Sequence, residues 1–172
     1  MKILFCILFQ LAFMALSAQL MPVTSGVFHW DDLQVKKEKQ RESRKITEGT
    51  TPEFSYFEIH ATTLQKGAIP STSHAQDSIE ELIIIKDGRL KCTIGAKIAE
   101  LGPGSVLLIP PHEMQTFENI GDSPVTYYVL MFRSRKPMDI ERSNKSGGTL
   151  LINADTVAYT EKNDKGTLKY FN

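Results

Sequence analysis

Short apolar segments, alternating and cut off by turn residues, constrain this chain more than any other feature. Phe54 to Leu64 (FSYFEIHATTL) is rich in aromatic and β-branched residues, with Phe57, Ile59 and Ala61 on one side. Lys66-Gly67 and Pro70 to Ser73 supply turn residues before Glu81 to Lys86 (ELIIIK). Asp87-Gly88 then reads as a two-residue type I′ hairpin signal, with Arg89 to Ile94 (RLKCTI) as the returning strand. Gly95-Ala96 and Gly102-Pro103-Gly104 mark further turns, followed by Ser105 to Ile109, Gln115 to Asn119 and Val125 to Phe132. Between Phe54 and Phe132 no segment carries a helix period. Several short strands with regular turn signals predict a β-sandwich or barrel.

The ends of the chain read differently. Lys2 precedes an apolar run from Ile3 to Leu16, and Ser17-Ala18 supplies the small residues a signal peptidase accepts. This three-part layout predicts a cleaved signal peptide over 1–18, because the run is shorter than the roughly 20 residues a bilayer requires. The mature protein is therefore expected in the periplasm or outside the cell, without a membrane partner. Cys92 is then the single cysteine left, which excludes an internal disulfide, and its alternation with Leu90 and Ile94 predicts a buried, inert thiol. Lys and Arg number 20, as do Asp and Glu, so there is no electrostatic footprint for nucleic acid. Lys36 to Lys45 (KKEKQRESRK) is interrupted by Glu38 and Glu42 and reads as a solvated face. The expected organisation is an N-terminal arm over 19–52, a barrel over 53–134, and a linker with a C-terminal arm over 135–172.

The informative stretch runs from Gly67 to Asn119. It contains His74-Ala75-Gln76, then Glu81, then Gly88, and further on Gly104, Pro110-Pro111-His112, Gln115 and Asn119. In composition and spacing these residues resemble the two motifs of the cupin superfamily. A further likeness is to the first half of secreted bacterial double-cupin proteins. The resemblance implies an all-β, double-stranded β-helix (jelly-roll) barrel with arms at both ends, and it implies homodimerisation. By the motif, the metal-ligand positions fall on His74, Gln76, Glu81 and Gln115.

Two of those positions depart from the family, since Gln76 and Gln115 stand where the motifs have histidine. A carboxamide oxygen is a weak neutral donor, whereas Zn²⁺ and Fe²⁺ sites favour nitrogen. The set is thus expected to hold Mn, Fe, Zn or Ni weakly, or no metal at all. His112 takes a turn-glycine position and is expected at the pocket mouth, while the facing of His60 is left open. The leading reading is a barrel that binds a small-molecule ligand through His74, Gln76, Glu81, Gln115 and Phe117, with Ile83 and Met114 as further apolar walls. One alternative is a metal-dependent enzyme on a small organic acid or ureide, with Glu81 as the catalytic group moving a proton. Another is a non-catalytic accessory or assembly domain, whose barrel would be filled by side chains.

Overall fold

In the computed structural model the described residues are 19–69, 72–157, 159–163 and 166–169. The expected signal peptide, the turn residues Pro70 and Ser71, and the end at Tyr170-Phe171-Asn172 lie outside them. The chain runs through β1 (Val35–Lys37), β2 (Arg41–Gly49), β3 (Phe54–Leu64), β4 (Glu80–Asp87), β5 (Leu90–Ile94), β6 (Lys97–Leu101), β7 (Val106–Ile109), β8 (Gln115–Asn119) and β9 (Val125–Ser134). A short helix α1 (Ile140–Lys145) follows, then β10 (Leu150–Ile152), β11 (Tyr159–Asn163) and β12 (Gly166–Lys169).

Two antiparallel sheets enclose the core. The larger has the order β1-β2-β3-β9-β4-β7-β10, and the smaller is β6-β5-β8. Because strand side chains alternate, one face of each strand points between the sheets. On β4 that face is Glu81, Ile83 and Ile85, on β5 Leu90, Cys92 and Ile94, and on β8 Gln115, Phe117 and Asn119. Ile83, Ile85, Leu90, Cys92, Ile94, Leu107 and Ile109 join one buried cluster. Each such Leu or Ile contributes about 1.5–3 kcal/mol by leaving water. Glu81, Gln115 and Asn119 are the polar members of this inner face.

The Asp87-Gly88 signal does not make a hairpin. β4 pairs with β9 and β7, whereas β5 pairs with β6 and β8 in the other sheet. Gly88, at φ +82°, turns a corner between sheets, while a type I′ turn requires positive φ at both central residues and Asp87 lacks it. A Cβ on Gly88 would lie 2.7 Å from both Pro124 O and Val125 Cα, so the corner depends on glycine twice. β6 is a strand that the turn pattern alone did not suggest.

The arms build onto the larger sheet. β1 and β2 extend it beyond β3, and β10 pairs with the outer edge of β7 through Leu150↔Leu108 and Ile152↔Val106. Residues of the N-terminal arm run beside Thr50, with Thr50 N donating to Met21 O at 3.0 Å and Val23 N to Thr50 O at 2.9 Å. A 3-10 turn at Trp30–Asp32 brings the Trp30 ring edge-on to Tyr128, 6.3 Å between centroids. Arg44 and Lys86 lie over that ring at 4.6 and 5.3 Å. Paired or covered edges of this kind are how antiparallel sheets avoid association through open strands.

Candidate functional site

Glu81 is the centre of the polar interior. It sits near the start of β4 and is 5% exposed, surrounded by the two carboxamides that the motif comparison singled out. Gln76 Nε2 donates to Glu81 Oε1 at 2.8 Å, and Gln115 Nε2 donates to Oε2 at 2.8 Å. Each carboxylate oxygen thereby receives one charge-assisted hydrogen bond, which offsets the cost of burying the charge. The three residues come from separate places: Gln76 from the segment before β4, Glu81 from the large sheet and Gln115 from the small sheet. Backbone bonds between His74 and Gln115 (N to O at 3.2 and 2.8 Å) fasten the 74–76 segment to β8.

A cavity of about 190 Å³ opens beside this cluster, lined by Arg41, His60, Thr62, His74, Gln76, Glu81, Phe117, Tyr127, Val129 and Met131. Of the ligand candidates, His74, Gln76, Glu81 and Phe117 are in its wall. His74 is exposed at the rim, and the 74–76 segment is held by an isolated bridge from His74 to Gln115 and is not a continuous strand. Gln115 is 1% exposed and lies behind the wall, bonded to Glu81; its Oε1 is buried without a partner. Met114 is not a wall residue, because it is 49% exposed, and Ile83 lies in the core cluster. His112 is exposed, adopts φ +69°, and donates its backbone N–H to Gln76 O at 2.7 Å. It braces the segment that carries Gln76 and is absent from the wall.

Four polar wall residues were not foreseen from the sequence: Arg41, His60, Thr62 and Tyr127. His60 and Thr62 come from the polar side of β3, which faces inward, and Tyr127 on β9 is the register partner of Thr62. Arg41 is register partner of Leu64, and Lys45 of His60, so β2 presents the same parity to the interior. The basic run is therefore not wholly a solvated face, for Arg41 turns in while Lys36, Lys37 and Lys45 pair with Glu38, Glu42 and Glu48. His60 Nδ1 is 2.9 Å from Glu58 Oε1, and Tyr56 donates its hydroxyl to Glu58. The imidazole of His60 beside it holds the Glu58 carboxyl below its usual range. Burial pushes the Tyr127 phenol upward, so it stays a neutral O–H donor.

The donor set does not fit a transition metal. Both carboxamides turn NH₂ hydrogens, not oxygens, towards Glu81, so a cation placed on that carboxylate would face positive ends of dipoles. Among the described residues, no group of three or more His, Cys, Asp or Glu side chains is close enough to hold a metal ion. The arrangement suits a fixed anion in a hydrogen-bonded pocket, able to accept bonds from a ligand's O–H or N–H group.

A larger cavity, about 520 Å³, lies beside α1 against the ends of β3 and β9, with Phe54, Phe132, Met138 and Arg142 in its wall. It contains none of the candidate ligand residues His74, Gln76, Glu81, Gln115 and Phe117.

Residues 60–131 match the family model for the cupin domain. No curated protein gives a match. Among solved structures, KdgF from Halomonas sp. aligns with TM-score 0.56 and 16% identity over 66% of this chain and 97% of its own. The cupin domain of Cnp3 from Schizosaccharomyces pombe gives 0.54 and 15%, over 71% of this chain and 80% of that one. A variant of oxalate decarboxylase from Bacillus subtilis gives 0.52 and 16%, over 67% of this chain but 31% of its own length. At these identities the structural likeness speaks for the fold alone. The family model, the motif spacing and the two-sheet barrel agree: the chain carries a cupin domain, residues 60–131, in a jelly-roll barrel.

Proposed function

We propose that this barrel binds a small polar ligand beside Glu81, without a transition metal, in a protein exported through its N-terminal 18 residues. One observation carries the reading: an open cavity reaches a buried carboxylate that two carboxamides hold in place. A filled barrel, the expectation for an assembly domain, would have no such space. The enzyme reading is weaker because it asks Gln76 and Gln115 to serve as metal ligands while both are committed as donors to Glu81. With its polar groups fixed in advance, the pocket orients a ligand at small entropic cost.

The test has two arms on the protein lacking residues 1–18. Metal content after purification without chelator is expected well below one equivalent, and unchanged in His74→Ala. A panel of small polar metabolites is then screened by amide chemical shifts, with saturable changes expected at Thr62, Gln76 and Tyr127. About one equivalent of a transition metal, lost in His74→Ala, would replace this reading with the metalloenzyme.

A further inference from the structure

We infer that the ligand enters the barrel as an anion, a small carboxylate whose charge is met by Arg41; this rests on the barrel being a ligand pocket. The argument starts from an asymmetry in the wall. Glu81, the carboxylate in that wall, already receives a hydrogen bond on each oxygen. Arg41, the guanidinium in the wall, has a buried Nε–H with no partner. Among the described residues its side chain makes no hydrogen bond or ion pair. Its charge acts on two neighbours, Glu38 outside and Tyr127 inside. Glu38 is already paired with Lys36 at 3.1 Å and half exposed, so it does not satisfy the buried Nε–H. Leaving a buried donor of a charged group unmade is costly, and a carboxylate in the cavity removes that cost with a planar acceptor matching the guanidinium.

The surroundings agree. Tyr127 lies within reach of the Arg41 charge and opposite Thr62 across the β3–β9 ladder, so their two hydroxyls add donors on the same wall. The Glu58 carboxylate next to His60 is already engaged, accepting from the Tyr56 hydroxyl and lying 2.9 Å from His60 Nδ1. Phe117, Val129 and Met131 complete an apolar side for a short carbon skeleton. At about 190 Å³ the cavity has the room of about six water molecules and lies below the about 300 Å³ that holds drug-sized ligands. The class is therefore an organic acid of a few carbons, with any hydroxyl or amino group directed to Glu81.

The experiment uses acetate as probe and acetamide as its neutral isostere. Arginine Nε–H resonances and barrel amides are followed by NMR in the wild type, Arg41→Gln and Arg41→Lys. Acetate is expected to move the Arg41 Nε–H and the Thr62 and Tyr127 amides saturably, and acetamide to bind at least about tenfold more weakly. Arg41→Gln, its fold verified by the remaining amides, should lose about tenfold or more in acetate affinity, with Arg41→Lys in between. Equal binding of acetate and acetamide, or unchanged acetate affinity in Arg41→Gln, would overturn the anion assignment and leave a pocket for neutral ligands. If acetate leaves the barrel untouched while a neutral panel member binds there, the assignment falls and the pocket reading stands. If no probe perturbs any barrel resonance, both fall.

Discussion

Replacing Gln115 by leucine tests whether the carboxamides hold Glu81 as described. The change removes a 2.8 Å bond from Nε2 to a buried carboxylate, worth about 1.5–3 kcal/mol for a charged acceptor. It also removes an amide oxygen that is buried without a partner, which returns about 1 kcal/mol. Leucine is close to glutamine in reach, so packing adds little. The expected net loss is about 0.5–2 kcal/mol. In a Glu81→Leu background the carboxamide has nothing to donate to, and the same substitution should be neutral or stabilising by about 1 kcal/mol. The difference between the two backgrounds isolates the pair and should come to about 1.5–3 kcal/mol. Urea unfolding of the four proteins measures it, provided the denaturant slope stays constant. If Gln115→Leu has the same effect in both backgrounds, within about 0.5 kcal/mol, Glu81 is not held by Gln115 and the site description is wrong.

Asn119→Ala should cost about 3 kcal/mol, since Nδ2 donates to Leu64 O and Ser123 O while Oδ1 accepts from Gly121 N; a melting-point drop of about 6–12 °C is expected by calorimetry. The thiol of Cys92, pushed up to about 12 by burial, should react with an aromatic disulfide at pH 8 only as fast as the protein unfolds. Rapid labelling of the folded protein would contradict its place in the core. Glu58 has a lowered pKa in the folded state, chiefly through His60, so its contribution is present above the unfolded value of 4.5 and is lost as pH falls through the folded one. Glu58→Gln should therefore cost about 1 kcal/mol at pH 7, a cost that shrinks progressively as pH falls below 4.5, read from urea midpoints across that range.

Much of this architecture was legible because strand side chains repeat every two residues and turns use few residue types. The inner faces of β4, β5 and β8 follow from ELIIIK, RLKCTI and QTFEN, and the motif spacing placed Glu81, Gln76 and Gln115 in one neighbourhood. What the pattern withheld is sidedness. In β3, Phe57, Ile59 and Ala61 form one face and Tyr56, Glu58, His60, Thr62 and Leu64 the other, and it is the polar series that reaches the cavity. Hydrophobicity would assign them the other way, because the outer face here is also covered, in part by Trp30. Arg41 was hidden for a related reason: within a basic run, nothing local distinguishes the one cation that turns inward. The Asp87-Gly88 pair shows the third limit, since a turn signal fixes where the chain bends but not which sheet it enters next.

The position of β3 beside β9 bears on how the chain reaches this state. Their ladder joins residues such as Thr63 and Thr126, 63 positions apart, and Ser55 touches Arg133 across 78. Every residue between must be made before the middle of the large sheet can close, and closing so long a loop is entropically costly. Folding is therefore expected to be slow for a chain of this size. Until β9 arrives, the inner edge of β3 presents unpaired N–H and C=O groups that can recruit another strand. A chaperone that keeps the chain extended until residue 134 has emerged would act at the most vulnerable moment of its synthesis.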